Sequence, residues 1–330
     1  MDERQLKYFL VTSEMGSVTS AADKLDIAQP SLSQMLLRLE EELGTKLFMR
    51  TSRGVVMTET GQVFREHALK ILSDMRRVRD EIRLEDTFER CEVTVGLPSS
   101  LATLIGSRLV SEFQRVAPGA KLTLVEAMSG HIREWLTRGE LDVGALYSAQ
   151  DCCHLSLQQI AVEELFLVGE SGAFGDVDND GLAIDSIDIL ELNRFPLILP
   201  TAHHGLRRLV DQKIKRLEGK INVRFEIDSL TLIKSLVRDG HGYSMLAHAA
   251  ISEELKRGQM SAARIVKPIF RRGVFVARNP LQVVTRASVK MAEAITNVSW
   301  KLIQDGEWLA TRVKPPASEP FIQETEPARL

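Results

Sequence analysis

The sequence has little of what usually announces a function. Its cysteines number 3, at Cys91, Cys152 and Cys153. An odd count with one adjacent pair is no disulfide framework, and it reads as a chain of a reducing cytoplasm. No uninterrupted apolar stretch approaches the roughly 20 residues of a membrane helix. The start, Met1, Asp2, Glu3, Arg4 and Gln5, lacks the apolar segment of a signal peptide. Charge of one sign is also missing. A formal net charge of -3 over 330 residues gives no bulk attraction to nucleic acid or an acidic membrane. Any DNA binding must come from a local arrangement.

Catalytic signatures are absent as well. There are 7 histidines, but His203 and His204 are neighbours, His241 and His248 fall on different elements, and no HExxH or Cys/His zinc spacing occurs. No CxxC is present, no GxSxG elbow, and no glycine-rich loop that opens a helix; Asp239, Gly240, His241 and Gly242 follow one. The expectation is therefore no metal, no cofactor and no enzyme. A composition of 44% hydrophobic and 26% charged residues excludes wholesale disorder, and the length suits two or three domains.

What is present begins at the N-terminus. Asp2 can cap a helix burying Leu6, Phe9 and Leu10, which Gly16 ends. Ser17 caps a second, with Val18, Ala21, Ala22 and Leu25 on its inner face. After Asp26, Ile27 and Ala28, Pro30 suits the first position of a third helix. There Leu32, Met35, Leu36 and Leu39 face inward, which leaves Gln29, Ser31, Ser33, Gln34 and Arg38 outside. Short amides and hydroxyls at a helix start are what base reading in the major groove requires, although a solvated face has the same composition. Two strand-like runs, Leu47 to Arg50 and Val55 to Met57, flank a turn that carries Arg53, so Arg50 and Arg53 are expected to reach the DNA backbone or minor groove. Glu40, Glu41 and Glu42 narrow this basic footprint.

Phe64, Ala68, Ile71, Met75, Val78 and Ile82 follow at spacings of 4, 3, 4, 3 and 4, a heptad seam that predicts a helix pairing with its copy. From Cys91 to about Ala277, short apolar runs alternate with helical segments, the pattern of α/β architecture. Strands are expected at Glu92–Leu97, Lys121–Glu126, Leu141–Leu146, Glu164–Val168, Leu197–Thr201, Val223–Ile227, Tyr243–Leu246 and Arg272–Ala277. Two such lobes joined by two crossings make a clamshell. Its ligand would sit at strand ends against helix starts. Ser99, Ser100, Ser129, Thr201 and His203 occupy such places, and hydroxyls with free N–H groups suit a carboxylate or other anion.

The run Ala21, Ala22, Asp23, Lys24, Leu25, then Ala28 to Gln34, Leu39 to Gly44, Leu47 to Arg50, and Thr58 to Gly61 resembles the LysR-type transcriptional regulators. Within that family, Ser129 to Leu136 and Glu164 to Gly169 look most like the branch of nitrogen-assimilation regulators. The resemblance implies a winged helix-turn-helix over 1–58, a linker helix over 59–90 and a two-lobed, periplasmic-binding-protein-like α/β effector domain over 91–310. Lobe I would comprise about 91–162 and 268–310, lobe II about 163–267; the Pro- and Glu-rich end, which lacks periodicity, reads by composition as a disordered tail at 311–330. The resemblance also implies double-stranded DNA and a small-molecule effector as partners, a homodimer or homotetramer, no membrane, and admits RNA polymerase. Relatives often carry Pro where this chain has Ala247. The competing reading, a clamshell solute-binding protein or transferase with an unrelated helical N-terminus, needs neither the polar helix face, the wing nor the seam.

Overall fold

A computed structural model describes residues 1–51, 54–82, 92–150, 152, 154–280, 282 and 284–314. They form two compact units. One holds Met1–Asp86 with the short segments Thr137–Glu140 and Leu281–Thr285, and the other holds the rest.

In the first unit, α1 (Glu3–Met15) opens with a reciprocal cap: Asp2 accepts from the Gln5 N–H, and the Gln5 side chain accepts from the Asp2 N–H. Gly16, in the left-handed region, ends it. Helix α2 (Val18–Lys24) is capped by Ser17, and α3 (Gln29–Leu43) carries Pro30 in its first turn, one place later than expected. Leu32, Leu36 and Leu39 of α3 are buried with Leu6, Phe9, Ala21 and Ala22. Burial of each leucine and of the phenylalanine contributes roughly 1.5–3 kcal/mol. Strands β1 (Phe48–Thr51) and β2 (Gly54–Met57) pair antiparallel. The Val55 N–H donates to the Gly16 carbonyl at 2.9 Å, and a Cβ on Gly54 would stand 2.2 Å from that same oxygen. The hairpin can lie this close to the end of α1 only because residue 54 has no side chain.

Helix α4 (Glu59–Ile82) departs from the expected seam in its first half. Phe64 meets Phe9 edge-on with centroids 4.9 Å apart, Ala68 is fully buried, and Ile71 packs on the same core. These three residues therefore serve packing within their own chain, the small Ala68 letting α4 approach α1. Met75 is exposed; the side chains of Val78 and Ile82 lie outside what the structure describes.

The second unit runs β3 (Glu92–Leu97), α5 (Ser99–Val116), β4 (Lys121–Glu126), α6 (Ser129–Arg138), β5 (Val143–Leu146), β6 (Ser156–Glu170), β7 (Ile187–Asp188), a 3-10 turn (Ile189–Arg194), β8 (Pro196–Leu199), α7 (Gly205–Arg216), β9 (Asn222–Glu226), α8 (Leu230–Arg238), β10 (Ser244–Ala247), α9 (His248–Lys256), β11 (Met260–Val266), β12 (Arg271–Arg278), α10 (Arg286–Gln304) and β13 (Ala310–Arg312). The main sheet has the order β4-β3-β5-β12-β6-β11-β7, with β10 and β13 also on β6, and β8 pairs β9 separately in parallel. One buried core gathers Val93, Val95, Leu101, Ile105, Val274, Ile295 and Trp308; the other gathers Leu165, Leu167, Ile198, Val210, Met245 and Phe270. Strand β6, at 15 residues, is three times the expected Glu164–Val168, because its first half pairs β12 in one core and its second half pairs β10 and β11 in the other. Helix α6 can lie flat on the sheet because Gly144 offers no side chain: a Cβ there would stand 2.6 Å from Ile132.

The expected tail begins too early. Thr311 and Arg312 pair with Val162 and Ala161 of β6, whose edge would otherwise hold unpaired backbone groups, and Arg312 lies over the Trp300 ring. Residues 315–330 are outside the described residues.

Candidate functional site

Two places gather polar side chains that the cores do not consume. The first is the start of α3. Gln29, Pro30, Ser31, Gln34 and Arg38 are exposed, and Ser33 is half-buried. The Gln29 amide donates to the Ser33 hydroxyl at 2.9 Å, one turn on, so these two polar groups are ordered as a pair. Beneath them Leu32, Leu36 and Leu39 are fixed in the core. Arg50 lies on β1, with its side chain outside the description, and Arg53 lies outside the described residues altogether.

The acidic run behind this helix acts differently from its sequence appearance. Glu40 is turned inward, 8% exposed. Its carboxylate accepts from the Leu47 and Phe48 N–H groups at 2.9 and 3.1 Å and from Lys46 at 2.7 Å. Burial pushes its pKa upward, but the Lys46 and backbone donors outweigh that, and the carboxyl sits below its ordinary value of 4.5. Glu40 thus fixes the entry to the hairpin and takes no charge to the polar face.

The second place is a cleft between the two cores of the larger unit. Its wider part is a cavity of about 460 Å³ lined among others by Ser129, Arg133, Tyr147, Arg208, Arg271 and Arg272. A narrower annex of about 70 Å³ is lined by Ser99, Ser100, Ser129, Leu230, Leu246, Ala247 and Asp228. The cleft brings together three of the five residues expected to hold an effector: Ser99, Ser100 and Ser129. Thr201 and His203 line neither cavity. The Thr201 hydroxyl and N–H both donate to the Asp228 carboxylate, and His203 is exposed. The residue that enters instead is His204, whose Nδ1 accepts from the Leu206 N–H at 3.1 Å and caps α7. Burial, then the charge of Arg272, lowers its pKa, so the ring is neutral at pH 7 with its proton on Nε2. Ser99 and Ser100, unlike His204, are not N-caps: Pro98 holds the N-cap place of α5, without a side-chain bond.

A buried network forms the cleft wall. Glu163, 0% exposed, accepts from Arg272 at 2.7 Å and from the Trp308 indole N–H at 3.0 Å. The Arg272 guanidinium stacks 3.4 Å from the Tyr147 ring centroid and reaches Ser100, whose hydroxyl is 2.5 Å from that of Tyr147. Burial raises the Tyr147 pKa above its ordinary 10.0, keeping the phenol protonated. Next to it Arg271 donates to Glu164 at 2.9 Å, and Glu164 also holds Arg264 at 3.1 Å. Both pairs are direct cross-strand partners, Arg271 opposite Glu164 and Arg272 opposite Glu163, where β6 and β12 pass from one core to the other. The sequence held a signal for them: a doubled acid and a doubled arginine, one pair in each crossing.

Comparison with known proteins agrees with this layout. A model described as a bacterial regulatory helix-turn-helix protein of the lysR family matches residues 3–62, and one described as the LysR substrate binding domain matches 88–299. The nitrogen assimilation regulatory protein nac of Klebsiella aerogenes is 31% identical, covering 81% of this chain and 85% of its own. That of Escherichia coli K12 is 30% identical over 76% and 79%. Among solved structures, a full-length OxyR variant from Pseudomonas aeruginosa has a TM-score of 0.70 at 24% identity, over 89% of this chain and 94% of that one. CbnR in complex with its target DNA has 0.66 at 21%, over 90% and 100%.

Proposed function

Because the chain belongs to the LysR family of DNA-binding transcriptional regulators, with an effector-binding domain behind its helix-turn-helix, we propose how its own residues read DNA and effector. Gln29, Ser31, Ser33 and Gln34 at the start of α3 read base edges, while Arg38, Arg50 and Arg53 hold phosphates. The solved DNA complex of CbnR makes double-stranded DNA the natural partner for this face. Two copies pair through the part of α4 from Met75 onward, since Phe64, Ala68 and Ile71 are committed to their own core. A homodimer, or a homotetramer built from two, then reads a partly palindromic site. No described helix is long and apolar enough to cross a membrane. The cytoplasm, where RNA polymerase is the further partner, is the place of action.

The effector is an anion bound in the cleft between the cores. The observation that carries this is the lining of the wider cavity: four arginines and, among the described residues, no Asp or Glu. A ligand shifts the regulator only through its differential affinity for two arrangements of the lobes.

The test for the DNA face is Gln29→Ala in the full chain. The expected loss on the specific site is about 1–3 kcal/mol, with relaxed preference at one base pair. Equal loss on random DNA would make Gln29 a positioning contact only. For the cleft, a thermal-shift screen of organic acids against amines of matched size should show stabilisation by acids alone.

A further inference from the structure

The arginines of the wider cavity are not equivalent in what they have left to give. Arg271 and Arg272 are each bonded through Nε and one terminal nitrogen to a single glutamate, Glu164 and Glu163. A guanidinium offers five N–H donors in a planar fork, so each keeps donors for a second acceptor. Arg208, exposed in the first turn of α7, makes no side-chain hydrogen bond or ion pair among the described residues. The starts of α6 (Ser129, Gly130) and α7 (Gly205) open on the same cavity. Each adds the equivalent of about half a positive charge. Even with Arg271 and Arg272 balanced by their glutamates, and Arg133 left aside, Arg208 and the two helix starts present about two positive charges that no acid among the described lining residues offsets. The serine end differs: the annex is narrow, its Ser100 is bonded to Tyr147, and it contains Asp228, which repels a carboxylate.

Resting on the reading of this cleft as the effector site, we propose that the effector carries at least two negative charges on separate groups, as a dicarboxylate or a phosphorylated carboxylic acid does, and that Arg208, Arg271 and Arg272 select it. One acid group takes Arg208 and the start of α7. The other shares Arg271 and Arg272 with their glutamates. Those two arginines stand where β6 and β12 cross between the cores, so the same contact that selects a second charge falls on the hinge.

The test is binding to the full chain at constant ionic strength, read by melting temperature and calorimetry. The probes are succinate, glutarate and adipate, their monomethyl esters, their dimethyl esters, and 3-phosphoglycerate. The expected result is that at least one two-acid probe binds about tenfold or more tightly than its one-acid counterpart, the worth of one further hydrogen-bonded charge. A dicarboxylate preferred over 3-phosphoglycerate, or the reverse, identifies which acid supplies the second charge. Arg208→Gln and Arg271→Gln should each abolish that tenfold preference while leaving the ligand-free melting temperature unchanged. Arg208 has no partner to lose among the described residues, and Glu164 keeps Arg264. Equal binding of the monomethyl esters and their diacids would overturn the two-charge proposal and leave the anionic cleft standing. Binding of the neutral diesters alone would overturn both. A preference undiminished in both variants would remove it from these arginines and overturn the assignment.

Discussion

Among the described residues Glu40 and Glu163 are the two buried glutamates, one in each unit, and they are held in opposite ways. Glu40 is met by two backbone N–H groups and by Lys46, whose side chain is 66% exposed. Glu163 is met by side chains only, Arg272 and Trp308. A backbone cage is rigid and faces no ligand, which suits a hairpin that must hold a fixed angle to α3. A side-chain cage can be redistributed, because Arg272 also faces the cavity. The helix-turn-helix spends its buried charge on shape, and the effector domain places it where a ligand can compete for it.

The largest expected effect comes from breaking the second cage. Glu163→Gln leaves the buried Arg272 charge without its counter-ion, and removing one partner of a buried pair costs about 3–5 kcal/mol. The three tryptophans, Trp135, Trp300 and Trp308, all lie in the larger unit, so urea unfolding followed by their fluorescence reports that unit alone. A loss under about 1 kcal/mol would mean that the pair is screened like a surface bridge, and the contrast with Glu40 would collapse.

Acid should separate the units next. His248, at the start of α9, accepts from the Leu309 N–H through Nδ1 and is buried; that burial, with Lys256 nearby, lowers its pKa from 6.5 to about 4. The unfolded chain then binds a proton that the folded one refuses. The stabilisation is full above pH 6.5 and is lost as pH falls toward 4, in total about 3 kcal/mol. His248→Gln should flatten the tryptophan-reported stability between those limits. An unchanged slope would place the titration elsewhere.

How much of this was legible depends on the range of the interactions. In the first unit Leu32, Leu36 and Leu39 announce their buried face by helical spacing within one turn or two, and the caps Asp2 and Ser17 are local. The polar row of α3 follows by subtraction. The wing glycine and the inward turn of Glu40 do not, because both depend on neighbours brought close only by folding. In the larger unit the strand and helix order can be read from alternation, but β6 cannot be read at full length, since its Ser156–Gln159 half owes its place to β12, over a hundred residues away. For the cleft, strand ends and helix starts led to Ser99, Ser100 and Ser129. They missed Arg208, Arg271, Arg272 and Tyr147, which converge only in the fold, Arg271 and Arg272 by cross-strand register and Arg208 from the first turn of α7.

Glu40 offers a smaller test. Glu40→Gln keeps the shape and one acceptor but loses the charge that meets Lys46 and the Leu47 and Phe48 amides, at about 1–2 kcal/mol. Its depressed carboxyl pKa means that the wild-type contribution is full above pH 4.5 and is lost as pH falls through the lower folded value. The variant should lack that acid loss, and hydrogen exchange of the Leu47 amide should quicken at neutral pH. If tryptophan-reported stability changed instead, the cage would not be local to its own unit.

The smallest expected effect distinguishes a residue in the cleft from one beside it. Thr201 stands after β8, where a strand end meets the approach to α7, and by position alone it belongs with the ligand. Its hydroxyl is spent on Asp228, which the Thr201 N–H also holds at 2.9 Å. Thr201→Val removes the hydroxyl, keeps the shape and leaves the backbone bond, so the loss in stability should stay within about 1 kcal/mol. Binding of an acid ligand should not change, because the group removed already serves an acceptor and a carboxylate ligand cannot share it without meeting the Asp228 charge. A tenfold weakening of acid binding in Thr201→Val, with Arg208→Gln unaffected, would move the anion from the arginine face to the strand end and reverse the division drawn between the two parts of the cleft.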